Sequence, residues 1–436
     1  MFFFRPQQTH TYTHPHTQLK QQKQARRLIS DGHRIFSELQ RRLRSEGGSI
    51  EQHVSACSKL YMKSIESAAA KCEDADFATK LNHAYTFWHL SHICMLNKQK
   101  SSVVPELVEW LDENFLRSER EETMLGHLLR ENPSQFLQGT DAQRRESEVW
   151  YLFQHFLIRG RRDLASRILS KHPSYREMSD LQELQSLVGG SGNNNEISKR
   201  AAEMLPSASN QQISQVLRIL SGDVRAIQSV QDKNNSWHAM MSLMLQFNQP
   251  ALTRNSFLDS KSRGYSYEQK GKRLVEQCFD AKVPSWRTSE QYAHLKMYLK
   301  ILAQDEHSVT TTFIRLGLPW MTAHMSDLLA HCGQLRPLPS DLPERINLVE
   351  MLGGNDCGHA QRAVYFEDYV SSLLSDSNLW EVALTYVMVV LFSLSLFLPS
   401  YTHQKTDMPR DSKLNVEKVA HSRCHHHVRT FENSFV

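Results

Sequence analysis

Four side chains able to bind a metal or move a proton fall within nine positions of the stretch LPWMTAHMSDLLAHC: His324, Asp327, His331 and Cys332. On a helix beginning at Trp320, just after Pro319, His324, Asp327 and His331 stand at i, i+3 and i+7 and share one face, an arrangement open to zinc or another transition metal. Helical zinc motifs place two histidines at i, i+4 around a Glu base or add a third ligand downstream, and neither feature is present. Leu328 and Leu329 lie between the polar positions. That spacing suits a half-buried helix whose His and Asp are hydrogen-bonded by neighbours. The expectation is structural: His324, Asp327 and Leu328 hold a helix in place, with no metal, no cofactor and no catalytic residue assigned.

Other chemistry is sparse. Cys424-His425-His426-His427 is His-rich but sits in polar sequence with no apolar periodicity around it, which reads as a disordered tail over 401–436. No G-x-x-x-x-G-K-[ST], G-x-G-x-x-G, G-x-S-x-G or H-E-x-x-H motif occurs. The arginine clusters Arg26-Arg27, Arg41-Arg42-Leu43-Arg44 and Arg159-Gly160-Arg161-Arg162 flank helical runs. Cations there complement the helix dipole, so solvated helix ends are expected and no nucleic-acid partner. The seven cysteines are odd in number, widely spaced and form no C-x-x-C pair, the pattern of reduced thiols.

The elements that position these residues follow from composition and periodicity. Among 436 residues, 40% are apolar and 22% charged, which excludes wholesale disorder and a polytopic membrane protein. The net charge is +4, but residues 1–49 hold nine Lys/Arg against three Asp/Glu, leaving the rest at −2. No single-sign field of the nucleic-acid-binding kind covers the body. Residues 1–24 are polar and rich in His, Thr and Gln, which predicts a disordered tail without a secretory h-region.

From Arg26 apolar residues recur near every 3.6 positions. Helices are expected over 26–46, 51–72, 84–96, 104–116, 147–159, 164–170, 211–220, 236–247, 267–280, 289–303, 306–316, 320–331 and 361–374. The breakers between them include Asn132-Pro133, GGSGNNN at 189–195 and Gly353 to Gly358. No β-alternating block intervenes, so the fold class is all-α. Trp88, Trp150, Trp237 and Trp320 each open an apolar run, at intervals of about sixty to ninety residues. That recurrence suits antiparallel helix pairs stacked into an α-solenoid, each pair packing its Trp on a neighbour. The scaffold domain is expected over 25–380. Beyond it, the uncharged run Val382 to Leu398 within 381–400 is either a short membrane helix, a buried core helix or a gene-model artefact.

Several stretches resemble the nucleoporin 85 family, in the family's order: ARRLISDGHRIFSELQRRL, YTFWHLSHICML, VPELVEWLDENF, VWYLFQHFLIRGRRDLASRILSKH, LRILSGD, SWHAMMSLMLQFNQP, PWMTAHMSDLLAHCGQL and YVSSLLSDSNLWEVALTY. The resemblance implies a helical ancestral-coatomer-type fold, no catalysis, a place in the outer ring (Y complex) of the nuclear pore with other outer-ring nucleoporins as partners, and support of mRNA and protein transport. The family supplies a β-blade to an open β-propeller partner. The strands of that blade are missing upstream of residue 25, so the propeller contact is not expected. After Tyr386 the resemblance is expected to stop, as in a truncated or mis-spliced gene model. The alternative is a membrane-tethered helical adaptor related to vesicle coats, anchored by 382–398.

Overall fold

Leu28, Ile35, Phe36 and Leu39 recur on one face of a long helix, and that face is buried to within 2%. This helix, α1 (Pro15–Arg44), packs along α2 (Ile50–Ala70), whose Val54, Cys57, Tyr61 and Ile65 answer it. Gly47 and Gly48, both at positive φ, separate the two. Residues 15–24 thus belong to a helix and not to a disordered tail. Leu, Lys and Gln are good helix formers, Pro suits a first helical position, and extending a docked helix costs far less than nucleating one. Gln24 Nε2 also donates to Ala68 O at 2.9 Å.

This computed structural model describes residues 15–44, 47–97, 103–130, 140–234, 237–248, 297–298, 300–302, 306–335, 357–376 and 378–388. The runs expected over 267–280 and most of 289–303, and the tail 401–436, lie outside them. Every regular element among the described residues is helical.

Two compact units divide the chain: residues 1–84 with 306–436, and residues 85–305. The single scaffold domain expected over 25–380 is therefore split, because the chain leaves its first unit and later returns to it. The first unit holds α1, α2, α13 (Glu306–Arg315), α14 (Pro319–His331), α15 (Cys357–Leu374) and α16 at 380–388. Its central element is α14, which packs on α1, α2, α13 and α15. Every residue from Trp320 to Ala330 is buried. The half-buried helix with one polar face expected from sequence is instead enclosed on all sides. A helix this short stops cleanly because Gly333, at φ 64°, closes a Schellman turn: its N–H reaches Ala330 O at 2.9 Å and Gln334 N–H reaches Leu329 O at 2.9 Å.

The second unit begins in α3 (Ala75–Ser91), which ends in a π turn at His92–Leu96. Next come α4 (Val104–Leu111), with its own π turn Asp112–Leu116, and α5 (Glu119–Arg130). A run of short helices continues: α6 (Thr140–Ile158), α7 (Arg162–Leu169), α8 (Ser179–Gly189), α9 (Asn194–Met204), α10 (Gln211–Leu220) and α11 (Val224–Asn234). The last, α12 (Trp237–Leu243), passes into the π turn Met244–Asn248. From α6 onward each helix packs on the next, the local pairing of a solenoid, and α12 returns to α4 and α6. The GGSGNNN stretch is shorter as a loop than expected, since Asn193 caps α9 by accepting from Glu196 N–H at 2.9 Å.

Trp88, Trp150, Trp237 and Trp320 are 0%, 3%, 6% and 6% exposed. Only Trp237 and Trp320 open their helices; Trp88 lies late in α3 and Trp150 midway along α6. The helix-start repeat is therefore a sequence coincidence for two of the four, whose apolar runs begin earlier than Trp. Truncating Trp150 or Trp320 to Ala leaves a cavity in a close-packed interior, with an expected loss of about 3–5 kcal/mol. Thermal melts of the two variants check it, a several-degree fall in Tm being the expected result.

Candidate functional site

His324 and Asp327 point to different partners although they share a helix. His324, 1% exposed, has Tyr61 Oη 2.9 Å from Nδ1 and Tyr386 Oη 3.2 Å from Nε2. A neutral imidazole donates at one nitrogen and accepts at the other, and a hydroxyl fits either need. Both nitrogens are thus satisfied, and Tyr61 Oη also donates to Gly32 O at 3.3 Å. Burial pushes the His324 pKa down to about 3, so the ring is neutral. The rings of Phe36, Phe366, Tyr369 and Trp320 surround it, with centroids 5.8–6.5 Å away. Gly32 makes room on the α1 side: a Cβ there would lie 3.1 Å from His324 Nε2.

Asp327, also 1% exposed, accepts from Arg362 Nε at 2.6 Å and from Gln40 Nε2 at 3.3 Å. His331 Nε2 lies 3.3 Å from the same Oδ1 that Arg362 holds. Burial alone would raise the Asp327 pKa; the Arg362 guanidinium, with His331, outweighs it and holds the carboxyl at about 2. Arg362 itself lies over the Phe366 ring at 5.3 Å. The i, i+3, i+7 trio therefore does not converge: His324 faces a tyrosine pair, while Asp327 is neutralised by a guanidinium. Among the described residues, no three His, Cys, Asp or Glu side chains are grouped to hold a metal. Leu328 is fully buried beside them.

Sequence reading missed the partners Gln40, Tyr61, Arg362 and Tyr386, because they lie 35 to 287 residues from Asp327 or His324 along the chain. The only local signal was a Tyr or Arg set among apolar helical residues. Tyr386 also bears on the segment 381–400. It is fully buried, as is Ala383, and its ring packs on Phe36, Phe366 and Tyr369 at 4.6–5.5 Å. The outer side of α16 carries Trp380, Leu384 and Met388 at 36%, 43% and 56% exposure.

In the second unit, Arg159 corrects the expectation of solvated arginines at helix ends. Its side chain is fully buried; Nε donates to Asp112 and Nη1 lies 2.9 Å from Glu122. The cation is drawn inward because the π turn after α4 places Asp112 under the end of α6. Gly160 then closes a Schellman turn at φ 76°, where a Cβ would come within 2.6 Å of Val108 Cγ1. Arg162 ties down the loop before α9 through Gly190 O at 2.9 Å and Asn194 Oδ1 at 3.0 Å. The other clusters do lie toward solvent, Arg41 and Arg42 both pairing with Glu38.

A family model, described as Nup85 nucleoporin, matches residues 11–189 and 194–407 of this chain. Its gap falls on the loop between α8 and α9. The match begins upstream of residue 25 and continues past Tyr386, which corrects the expectation that the resemblance stops there. No curated protein matches the chain significantly.

The buried histidines set a pH dependence. Burial lowers the pKa of His324 to about 3 and also lowers those of His33, His89, His155 and His172. Each is neutral when folded and binds a proton near pH 6.5 when unfolded, so its contribution is full above pH 6.5 and is lost as pH falls toward the folded value. Melting at pH 7.5 and 5.0 should give a clearly lower Tm at pH 5.0, and His324→Gln should shrink that difference. A second expectation concerns the ion pair. Arg362→Met strands the Asp327 carboxylate and should cost about 3–5 kcal/mol, whereas Arg362→Met with Asp327→Leu should recover most of it in chemical denaturation.

Proposed function

The chain belongs to the Nup85 nucleoporin family of the nuclear pore complex in the nuclear envelope, and from that premise we propose that it is a non-catalytic scaffold of the pore's outer ring, the Y complex. In that role it joins other outer-ring nucleoporins and supports the passage of mRNA and protein. The observation that carries the reading is α14: its His324 and Asp327 are engaged by the protein's own tyrosines, Gln40 and Arg362, so the residues best suited to chemistry are spent on packing. A helix of this kind lends rigidity to a scaffold and presents nothing to a substrate.

The membrane-tethered adaptor is the second reading. Among the described residues no helix is long and apolar enough to cross a membrane. Ala383 and Tyr386, which fall within the run 382–398, are buried in the first unit, and that burial favours the scaffold over the anchor. No β-propeller partner is proposed.

The test is affinity purification of the tagged full chain from nuclear envelopes, with alkaline carbonate extraction in parallel. Release by carbonate and stoichiometric recovery of outer-ring nucleoporins is the expected outcome. Retention in the pellet without those partners would replace the scaffold by the adaptor.

A further inference from the structure

The outward side of the hairpin formed by α1 and α2 gathers cations that the packing of the first unit does not use. Arg27, Arg34 and Arg41 are exposed and stand seven residues apart on α1. Seven residues make nearly two turns and rise ~10.5 Å, so the three guanidinium groups form one straight row along the helix. Leu28, Ile35 and Phe36 lie on its inward side, buried to within 2%. The second helix widens the row into a face. Tyr61 Oη donates to Gly32 O at 3.3 Å, Ser64 Oγ to Asp31 Oδ2 at 3.4 Å and Gln24 Nε2 to Ala68 O at 2.9 Å, so α2 runs antiparallel beside α1. Lys71, two turns beyond Ser64, and Lys63 next to it are both exposed on that outward side.

The anions of this face do not cancel its charge. Glu38 is held by Arg41 at 2.8 Å and Arg42 at 2.6 Å, a group that stays positive by one charge. Asp31 lies 3.9 Å from Arg34, whose side chain is 76% exposed, a pair of little strength. Lys71 donates to a neutral acceptor, Ser67 Oγ, at 3.0 Å. Six Lys or Arg therefore stand against two carboxylates, a balance of +4. Lys59 and Glu66 share the far side of α2 and offset each other.

Shape chooses among the anionic partners such a face could meet. Protein interfaces are anchored at their centre by apolar and aromatic side chains, with charged groups depleted there. Here the centre is charge, and the exposed apolar residues Ile50 and Leu60 stand singly on α2. A DNA duplex is read by a helix lying in its major groove. That position is closed to α1, which is flanked by α2 on one side and on the other by Asp376, paired with Arg26 at 2.8 Å, and by Tyr386, whose ring packs on Phe36 at 4.6 Å. A flat anionic sheet, by contrast, meets every member of a straight row at once, and the family's place at the nuclear envelope puts a bilayer beside the chain. We propose that the α1–α2 face adsorbs to the anionic headgroups of a bilayer. It does so without insertion, because the apolar side of α1 is already buried against its own unit. The contact goes beyond the scaffold role and is distinct from an apolar anchor at 382–398.

The experiment is flotation of the full chain with phosphatidylcholine vesicles, with and without phosphatidylserine, over a range of NaCl. Binding should rise with phosphatidylserine and fall steeply with salt. Each cation near an anionic leaflet strengthens binding about fivefold, so Arg27→Glu with Arg34→Glu should weaken the phosphatidylserine-dependent part at least about tenfold. Arg27→Gln with Arg34→Gln adds no carboxylate beside Asp31 and should weaken it in the same direction with Tm unchanged. Arg27→Lys with Arg34→Lys should bind like the parent, since a headgroup layer needs charge and not a bidentate fork. Arg167→Glu with Arg218→Glu, exposed in the second unit, changes net charge equally and should leave binding as it was. Equal binding to neutral vesicles, no binding to either kind, or an equal loss from the second-unit variant would overturn the proposal. So would loss of binding in the Lys variant, or tighter binding to a DNA duplex at the same salt, which would assign the face to nucleic acid.

Discussion

An ionised carboxylate at the centre of a helical unit is the constraint around which the first unit is arranged. Asp327 is 1% exposed, and a bare charge there would cost several kcal/mol even after relaxation. Arg362 from α15, Gln40 from α1 and His331 one turn along α14 offset that cost. The pair is a weak source of net stability, since an apolar replacement of similar volume would pack as well. What it contributes is a choice among packings. An apolar helix buried on all sides can turn about its axis with little penalty, but a rotation by one residue would carry Asp327 away from Arg362 and His324 away from both tyrosines.

The second unit solves a related problem at a different place. There the buried charge is a cation, Arg159, and its partners Asp112 and Glu122 come from the π turn after α4 and from α5. A π turn widens the last turn of α4 and so aims Asp112 at the end of α6. Ser242 and Gln246 of the α12 region then reach the carbonyl of Ile158 at 2.5 and 3.2 Å, taking up acceptors that the end of α6 leaves over. Helices of eight to twelve residues, marginal alone, are locked by such end-to-side bonds as much as by their apolar stripes.

Which parts of this were legible follows from where the information sits. The all-α class and runs such as 211–220, 306–316 and 320–331 were readable because apolar periodicity is local. Helices α5, α8, α9 and α11 were not among the expected runs: each is short and largely polar, with Glu121, Leu125 and Leu128 alone buried in α5. Residues 15–24 read as a tail by composition, although Leu19, Lys20 and the glutamines also have good helix propensity. At the site, the shared spacing of His324, Asp327 and His331 was visible, but their partners come from helices distant in sequence. No single-sequence pattern encodes that Tyr61 meets His324 across 263 positions. The inward turn of Arg159 was hidden for the same reason, its counter-ion Asp112 lying 47 residues upstream.

The same residues also show why a ligand-like trio can be spent on structure. A metal needs lone pairs that nothing else has claimed, delivered from one direction. Here each nitrogen of His324 already meets a tyrosine hydroxyl, and the ring is held neutral by burial that would charge any approaching cation a desolvation cost. Asp327 has the opposite state, ionised, but its charge is answered by a guanidinium that does not deprotonate and therefore does not leave. Proximity in sequence set three potential ligands on one helix; the surrounding helices then gave His324 and Asp327 separate partners, with His331 sharing the Asp327 oxygen that Arg362 holds, and the chemistry that remains is the choice of one packing over others.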